Sequence, residues 1–197
     1  MSSKFLRFIP TKFHQMMEKS QTRNFFAYLR IAFNAVDQQR LQEVGPDRLC
    51  AEWIVKNGGT VQFKNHTEPI KDYNLLSVIH ANETPKLWKV DGSNSSIMSL
   101  GFDHFKGCHF VEKVRLHRCK HMENDALEKL SYLKNSLKEL EVTECNNVEK
   151  DGLLSLKQLQ CLKILTIHGF IYINDDDFKT VAYELQKHLP NCQIITK

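Results

Sequence analysis

VEKVRLHRC (residues 111–119), LKELEVTEC (137–145) and LKILTIHGF (162–170) repeat one pattern, and this pattern decides the fold. Their first residues lie 26 and 25 positions apart. Each stretch has an apolar residue at its first, fourth and sixth positions and a closing residue at its ninth. Regular spacing of this length is typical of stacked supersecondary units, each of which buries its neighbour's apolar face.

The apolar positions of the pattern fit a short strand with one buried face. Successive strand side chains face opposite ways. Three pairs should therefore point into the stack: Val114 with Leu116, Leu140 with Val142, and Leu165 with Ile167. Cys119 and Cys145 fall at the strand ends, which suits small buried thiols with a structural role. Leucine-rich helical segments at 126–133 and 153–159 follow two of the strands. The sequence therefore predicts an α/β fold, namely a short leucine-rich-repeat solenoid of about four repeats. Its parallel strands should lie on the concave face and its helices on the convex face.

The same pattern predicts where the repeats begin and end. A weaker copy precedes residue 111, with Leu87, Val90 and Ser95 in the corresponding places. We expect the repeats to fill residues 61–197, approximately as 61–86, 87–115, 116–140 and 141–172, then a C-terminal helix and a closing strand.

An acidic triplet at residues 175–177 starts the C-terminal helix. Asn174 suits its N-cap, the three aspartates favour a helix N-terminus, and the helix should run to about His188. The alternative is a Mg²⁺ or Ca²⁺ site. We favour the helix start because no spaced ligand loop of the D-x-D-x-D-G kind surrounds the triplet.

Two helices are predicted ahead of the repeats, in an N-terminal cap at residues 25–60. Phe26, Leu29, Phe33 and Val36 recur at helical spacing and give the first helix an apolar face. The second helix begins with Pro46 in its first turn and ends at the glycine pair 58–59. Such a pair should cover the apolar edge that a terminal repeat exposes.

The basic excess of the chain lies at its start. The formal net charge is +4, and residues 1–23 carry five basic side chains against Glu18 alone. Aromatic and aliphatic residues are interleaved among these charges, which is typical of a mitochondrial presequence, here residues 1–24. A solvated basic arm is the alternative. No apolar run approaches the roughly 20 residues of a membrane span, and the neutral remainder argues against nucleic-acid binding.

No catalytic or metal motif emerges from the sequence. It holds no P-loop, no G-x-S-x-G, no H-E-x-x-H and no glycine-rich dinucleotide turn, so a non-enzymatic protein without a small-molecule substrate is expected. The six cysteines show no C-x-x-C spacing, which fits a reduced compartment. His117, Cys119 and His121 are the most zinc-like cluster, but Cys119 should point inward and His117 outward, so they do not converge.

The outward-facing strand residues form adjacent rows of opposite charge. Lys113, Arg115 and His117 should lie beside Glu139 and Glu141, with His168 on the next strand. Adjacent strands lie ~4.8 Å apart, so the opposite charges could simply pair across the sheet. The functional alternative is that these six residues form a recognition surface, since solenoids usually bind partners on the concave side.

Longer stretches resemble a known family. AFNAVDQQRLQEVGPDRLCAEWIVKNGG (32–59), KDYN (71–74), SSIMSLGFDHFKG (95–107) and VEKVRL (111–116) look like the mitochondrial ATP synthase coupling factor B family, also called subunit s. The match covers nearly everything after Arg23. In that family a presequence is removed ahead of an aromatic residue, which corresponds to Phe25.

The resemblance implies a protein on the matrix side of the mitochondrial inner membrane, attached peripherally. It would associate with membrane-sector subunits of the proton-translocating ATP synthase and support the coupling of proton conduction to synthesis. A related family that shares the repeat assists assembly of the distal membrane arm of respiratory complex I, which is the first alternative. A leucine-rich-repeat adaptor of a ubiquitin ligase is the second.

The resemblance also carries two expectations about sites. The family binds Mg²⁺ through main-chain carbonyls at positions that correspond to Gly58 and Ser93, and with so few anionic ligands the site should be weak. The family is also associated with a C-x-C cysteine pair, where this chain reads His117-Arg118-Cys119. Only the second cysteine is present, so a vicinal-dithiol switch is not expected, whereas a packing role for Cys119 is unaffected.

Overall fold

The structure is a computed structural model that describes residues 22–64, 66–78 and 85–196. Residues 1–21 of the predicted presequence lie outside the described residues. The helices are α1 (Thr22–Asn34), α2 (Gln38–Val44), α3 (Pro46–Lys56), α4 (Tyr73–Val78), α5 (Asn124–Lys129), α6 (Lys150–Ser155) and α7 (Asp175–His188). The strands are β1 (Thr60–Phe63), β2 (Leu87–Asp91), β3 (Lys113–His117), β4 (Glu139–Thr143), β5 (Ile164–His168) and β6 (Gln193–Ile195). The described residues also form 3₁₀ helices at Ser99–Phe105, Leu130–Leu133 and Leu156–Gln158.

The six strands form one sheet in chain order, and helical segments join most of them, which confirms the α/β class. β2 to β6 are parallel, whereas β1 is antiparallel to β2. The expectation of parallel strands therefore fails for the first predicted unit, 61–86. There the chain turns back at once, and Val61 exchanges both main-chain hydrogen bonds with Ile70, at 3.0 and 2.7 Å. The predicted divisions after residues 115 and 140 fall inside β3 and β4.

Buried and outward-facing side chains alternate along the middle strands as predicted. Val114, Leu116, Leu140, Val142, Leu165 and Ile167 are all buried in one continuous core. Just after each of β2 to β5 one residue adopts a left-handed backbone, with φ of 55° at Asn94, 54° at Arg118, 53° at Glu144 and 77° at Gly169. The N–H groups of the first three donate to the neighbouring strand, at 2.8 to 3.0 Å. The ends of consecutive strands are thus joined by one repeated turn.

The helical segments beside the middle strands are short. α5 and α6 each continue into a 3₁₀ turn, and their leucines reach the core. The two segments approach closely at Gly152, where an added Cβ would lie 2.4 Å from the Asn124 side-chain oxygen. A glycine is therefore required at that position.

The N-terminal helices differ from the prediction in how they are held. α1 ends at Asn34, and Phe26 and Phe33, expected on its apolar face, are 60% and 41% exposed. A polar side chain attaches the helix instead. The fully buried Asn34 amide donates to Asn57 Oδ1 at 3.1 Å, and its oxygen accepts from Trp53 Nε1 at 2.9 Å.

The second and the last of the predicted helices are confirmed. α3 has Pro46 in its first turn, and its Trp53 packs edge-on against Phe102 and Phe105, with centroids 5.6 Å apart in both cases. α7 begins at Asp175 with Asn174 as N-cap, whose side chain accepts from two main-chain N–H groups. The acidic triplet is thus the first turn of a helix.

Candidate functional site

The charged rows lie in the predicted register, and most of their charges are paired. Lys113 faces Glu139 and Arg115 faces Glu141 across β3 and β4. The ion-pair distances are 2.8 Å from Lys113 Nζ to Glu139 Oε1 and 3.0 Å from Arg115 Nε to Glu141 Oε2. All four side chains keep 32% to 47% of their surface in solvent, so each pair contributes little to stability, about 0–1 kcal/mol. The rows form a charged surface whose charges are available to a partner only in competition with these internal pairs.

The histidines of the surface have different surroundings. His117 Nδ1 lies 2.8 Å from the hydroxyl of Thr143, its neighbour in register. Thr143 lies in register with His117 on the same side of the sheet, yet it is fully buried, because it lies beneath that ring and beside Glu141. His168 stands next to Thr143 on the following strand and borders an open groove. The structure therefore brings all six predicted surface residues onto three neighbouring strands.

Sequence reasoning missed several charged residues that extend this surface. Glu112 binds Lys64 at 2.8 Å and Lys138 at 2.9 Å, and these two ammonium groups lower the pKa of its carboxyl to about 2. Arg118 binds Glu144 at 2.7 Å and lowers the pKa of that carboxyl. The 26-residue spacing between members of the pairs 112/138 and 118/144 was the signal that could have found them.

The predicted cation site brings together two distant segments of chain. Thr60 pairs with Asp91 in the antiparallel register, so Gly58, two residues before Thr60, and Ser93, two residues after Asp91, lie at the same end of this strand pair. Gly58 has φ of 93°, and its neighbour Gly59 packs so closely that an added Cβ would lie 2.6 Å from the Asp91 carbonyl oxygen. The Ser93 hydroxyl is buried and has no hydrogen-bond partner among the described residues. Carbonyl and hydroxyl oxygens are ligands that Mg²⁺ accepts, so the residues present fit a cation there.

The two thiols at the strand ends are fully buried. Cys119 Sγ donates to the Gly92 carbonyl at 3.2 Å, and Cys145 Sγ donates to the Leu116 carbonyl at 3.4 Å, so each thiol contacts the preceding unit. The neighbouring Cys145 and burial raise the pKa of the Cys119 thiol well above its ordinary value. A buried, protonated thiol is a poor nucleophile.

The zinc-like cluster does not assemble. His117 contacts Thr143, Cys119 points into the core, and His121 Nε2 lies 3.0 Å from Arg30. Within residues 22–64, 66–78 and 85–196, no three His, Cys, Asp or Glu side chains gather in a way that could hold a metal ion. In the same part of the chain, every helix is too short or too polar to cross a membrane.

No protein-family model matches the chain, but several curated proteins do. The chain is 39% identical over 176 residues to mitochondrial ATP synthase subunit s of Bos taurus, across 88% of this chain and 86% of that protein. It is 35% identical to the Rattus norvegicus protein of the same name, with the same coverage. It is also 35% identical to the Homo sapiens one, across 85% of this chain and 88% of that protein. Each relative is thus matched over most of its own length.

Proposed function

The chain belongs to the mitochondrial ATP synthase subunit s family, and we infer from this membership that it is a mitochondrial protein that associates with the ATP synthase. The observation that carries this inference is similarity along most of both chains rather than a shared motif. We further propose that it supports the coupling of proton conduction to ATP synthesis by contacting membrane-sector subunits. It would act by contact, not by catalysis, from the matrix side of the inner membrane.

Affinity capture tests this function. The tagged full chain is expressed in cells, and their mitochondrial membranes are solubilised gently. The captured proteins are then identified by mass spectrometry. We expect ATP synthase subunits to be enriched over a capture from cells with the untagged chain. Recovery of complex I assembly intermediates without ATP synthase subunits would contradict the proposal and support the assembly-factor alternative. Recovery of ubiquitin-ligase subunits would support the adaptor alternative.

We propose that the sheet from β2 to β5 and its helical segments are leucine-rich repeats, capped by residues 25–60. Support comes from the turns that follow β2 to β5, where the left-handed residues lie 24, 26 and 25 positions apart. The leader, residues 1–24, is proposed as a presequence because of its basic and aromatic composition. N-terminal sequencing of the protein purified from mitochondria tests this, and a mature chain that retains residues 1–24 would contradict it.

The charged rows are proposed as the partner surface, comprising Lys113, Arg115, His117, Glu139, Glu141 and His168. A charge-swapped variant separates recognition from internal pairing. In the double variant R115E/E141R the pair between the strands is kept, but the two charges of that pair exchange places between the rows.

We expect the swapped variant to melt within a few degrees of the original chain, because an exposed pair is worth only about 0–1 kcal/mol. It should nonetheless capture much less ATP synthase, because charge complementarity sets partner choice and association rate. Unchanged capture would show that Arg115 and Glu141 pair with each other and do not contribute to binding of the ATP synthase. The single variant R115E is the less informative control, because it also places two carboxylates side by side.

We propose that Mg²⁺ binds between the end of α3 and the turn after β2, held by the main-chain carbonyls of Gly58 and Ser93. The unpartnered Ser93 hydroxyl and the position of the two residues at the same end of the β1–β2 pair support this. When bound, the ion would brace the cap against the sheet by offering positive charge to these oxygens. Titration calorimetry with MgCl₂ on the chelator-treated chain should show weak, saturable heat, and Ser93→Ala should retain it because alanine keeps the main-chain carbonyl. No saturable heat in the original chain would overturn the proposal.

A further inference from the structure

An open groove lies beyond the carboxyl ends of β3, β4 and β5. Its volume is about 950 Å³, and its lining includes the loops after these strands, the start of α7 and Thr196 at the end of β6. Carboxyl ends of parallel strands are where open α/β sheets commonly bind other molecules. The groove does not include the ion-paired rows described above, apart from His168 at its border.

The floor and one rim of the groove are apolar. Phe170 and Phe178 form the floor, with ring centroids 6.1 Å apart. Beside them Ile171 is 65% exposed, and the next residue, Tyr172, is 70% exposed. Among the large hydrophobic side chains of the described residues only Tyr183, at 68%, is comparably exposed, and Ile171 and Tyr172 are adjacent in the chain. Contiguous exposed apolar surface of this kind often marks a site where another molecule binds.

The charges around the groove cancel. Arg118 is already paired with Glu144, and the remaining charged residues of the lining are one base, Lys120, and one acid, Asp175. A strongly charged ligand such as a phosphate ester would find no excess of opposite charge here. The lining therefore favours a neutral occupant with apolar side chains.

The groove adjoins an open sheet edge. The far edge at β1 is covered by the chain itself, through the two hydrogen bonds between Val61 and Ile70. At the other edge, among the described residues, β6 pairs only with β5. Gln193 donates its N–H at 2.8 Å to the carbonyl of Lys163, the residue just before β5. Because main-chain groups alternate in direction along a strand, the N–H and C=O of Ile194 point outward.

This open edge lacks most of the usual protection. Edge strands commonly carry lysine, proline or a bulge that discourages pairing, whereas β6 reads Gln-Ile-Ile. Its isoleucines are only partly buried. Main-chain groups that face outward beside an apolar groove are complementary to one kind of occupant, an added strand.

We propose that β6 and this groove together receive an extended segment of a partner protein. The segment adds as a strand beside β6, its main chain bonds to Ile194, and one of its apolar side chains rests on Phe170 and Phe178. Its sequence alternates apolar and polar residues, because one face of an added strand meets the groove and the other meets solvent. The inference goes beyond the proposed function and does not depend on which complex supplies the segment.

Selection from a random peptide display library, with the purified full chain as bait, tests the proposal. Two substitutions disable the site in different ways. Ile194→Pro removes the outward N–H but leaves the bonds between β5 and β6, since proline is tolerated on the solvent side of an edge strand. Ile171→Asp places a charge on the apolar rim. Ile194→Val is the matched control, and thermal melting checks that each variant folds.

We expect enriched peptides with alternating apolar residues that bind the original chain and Ile194→Val equally. Either disabling substitution should weaken them about tenfold, because each removes one of the two kinds of contact. Failure to enrich any peptide, or equal binding to all variants, would overturn the proposal. So would sedimentation showing that the original chain dimerises and Ile194→Pro does not, because the edge would then pair with a second copy.

Discussion

His104 shows how one buried side chain makes stability depend on pH. Its ring stacks on Trp53, with centroids 5.0 Å apart and an angle of 7°, and its Nδ1 lies 2.8 Å from the Gly101 carbonyl. Burial lowers the pKa of His104 to about 4, and the hydrogen bond to Gly101 opposes this only in part. The neutral imidazole is therefore the form that the fold accommodates.

We predict an acid-dependent loss of stability that belongs to His104. Its folded pKa lies below the ordinary 6.5, so its contribution is complete above about pH 6.5 and is lost as the pH falls toward 4. The loss should reach about 3 kcal/mol, at 1.36 kcal/mol per pKa unit. Urea unfolding across this range should show a shallower decline in His104→Phe than in the original chain. Parallel declines would show that His104 does not carry the effect.

Among elements, the cap is tied together by one buried carboxylate. Glu52 of α3 is 1% exposed in its side chain and binds Arg40 of α2 at 2.8 Å and Arg48 at 3.0 Å. Its other oxygen accepts from the Tyr73 hydroxyl of α4 at 3.2 Å. Burial by itself raises the pKa of Glu52, but the hydrogen bonds from both arginines outweigh it and hold the pKa below its ordinary value.

Glu52→Gln should therefore destabilise the chain by about 3 kcal/mol or more, because it removes the buried carboxylate that Arg40 and Arg48 share. Glu43→Gln is the matched control, since Glu43 binds the same Arg40 at 3.2 Å but on the surface. That control should cost less than about 1 kcal/mol. Free energies of unfolding in urea measure both. Equal effects would mean that burial of Glu52 does not strengthen its ion pairs.

The elements also show what sequence could and could not foresee. β3, β4 and β5, with their facing charges, followed from period-two alternation repeated at nearly constant spacing. The attachment of α1 through Asn34 did not, because a lone asparagine carries no periodicity and its partners outside α1 are 19 to 64 residues away. β1 was missed as antiparallel because alternation does not encode strand direction. The groove floor joins Phe170 and Phe178 from two elements, which no local pattern reveals.

At the scale of the whole molecule, we predict graded rather than uniform protection from hydrogen exchange. Every strand pairs only with its neighbours in the chain, so opening at one end breaks few contacts elsewhere. β6 has three residues and one partner, whereas β3 and β4 have five residues and two partners each. Amides of β6 should therefore exchange fastest and those of β3 and β4 slowest. Equal rates in all strands would indicate a single cooperative unit.

Because the strands lie in the sheet in the order of the chain, the repeated units stack along a single direction. Duplicating or deleting one unit of about 25 residues in the middle would thread no segment through another, since each connection returns beside the strand it left. The two ends are not equivalent under such a change, because Ile70 closes the β1 end, whereas within the described part of the chain β6 has β5 as its one strand partner. Any lengthening that keeps the cap must therefore be inserted between the ends or added after β6, and it would carry the open edge with it.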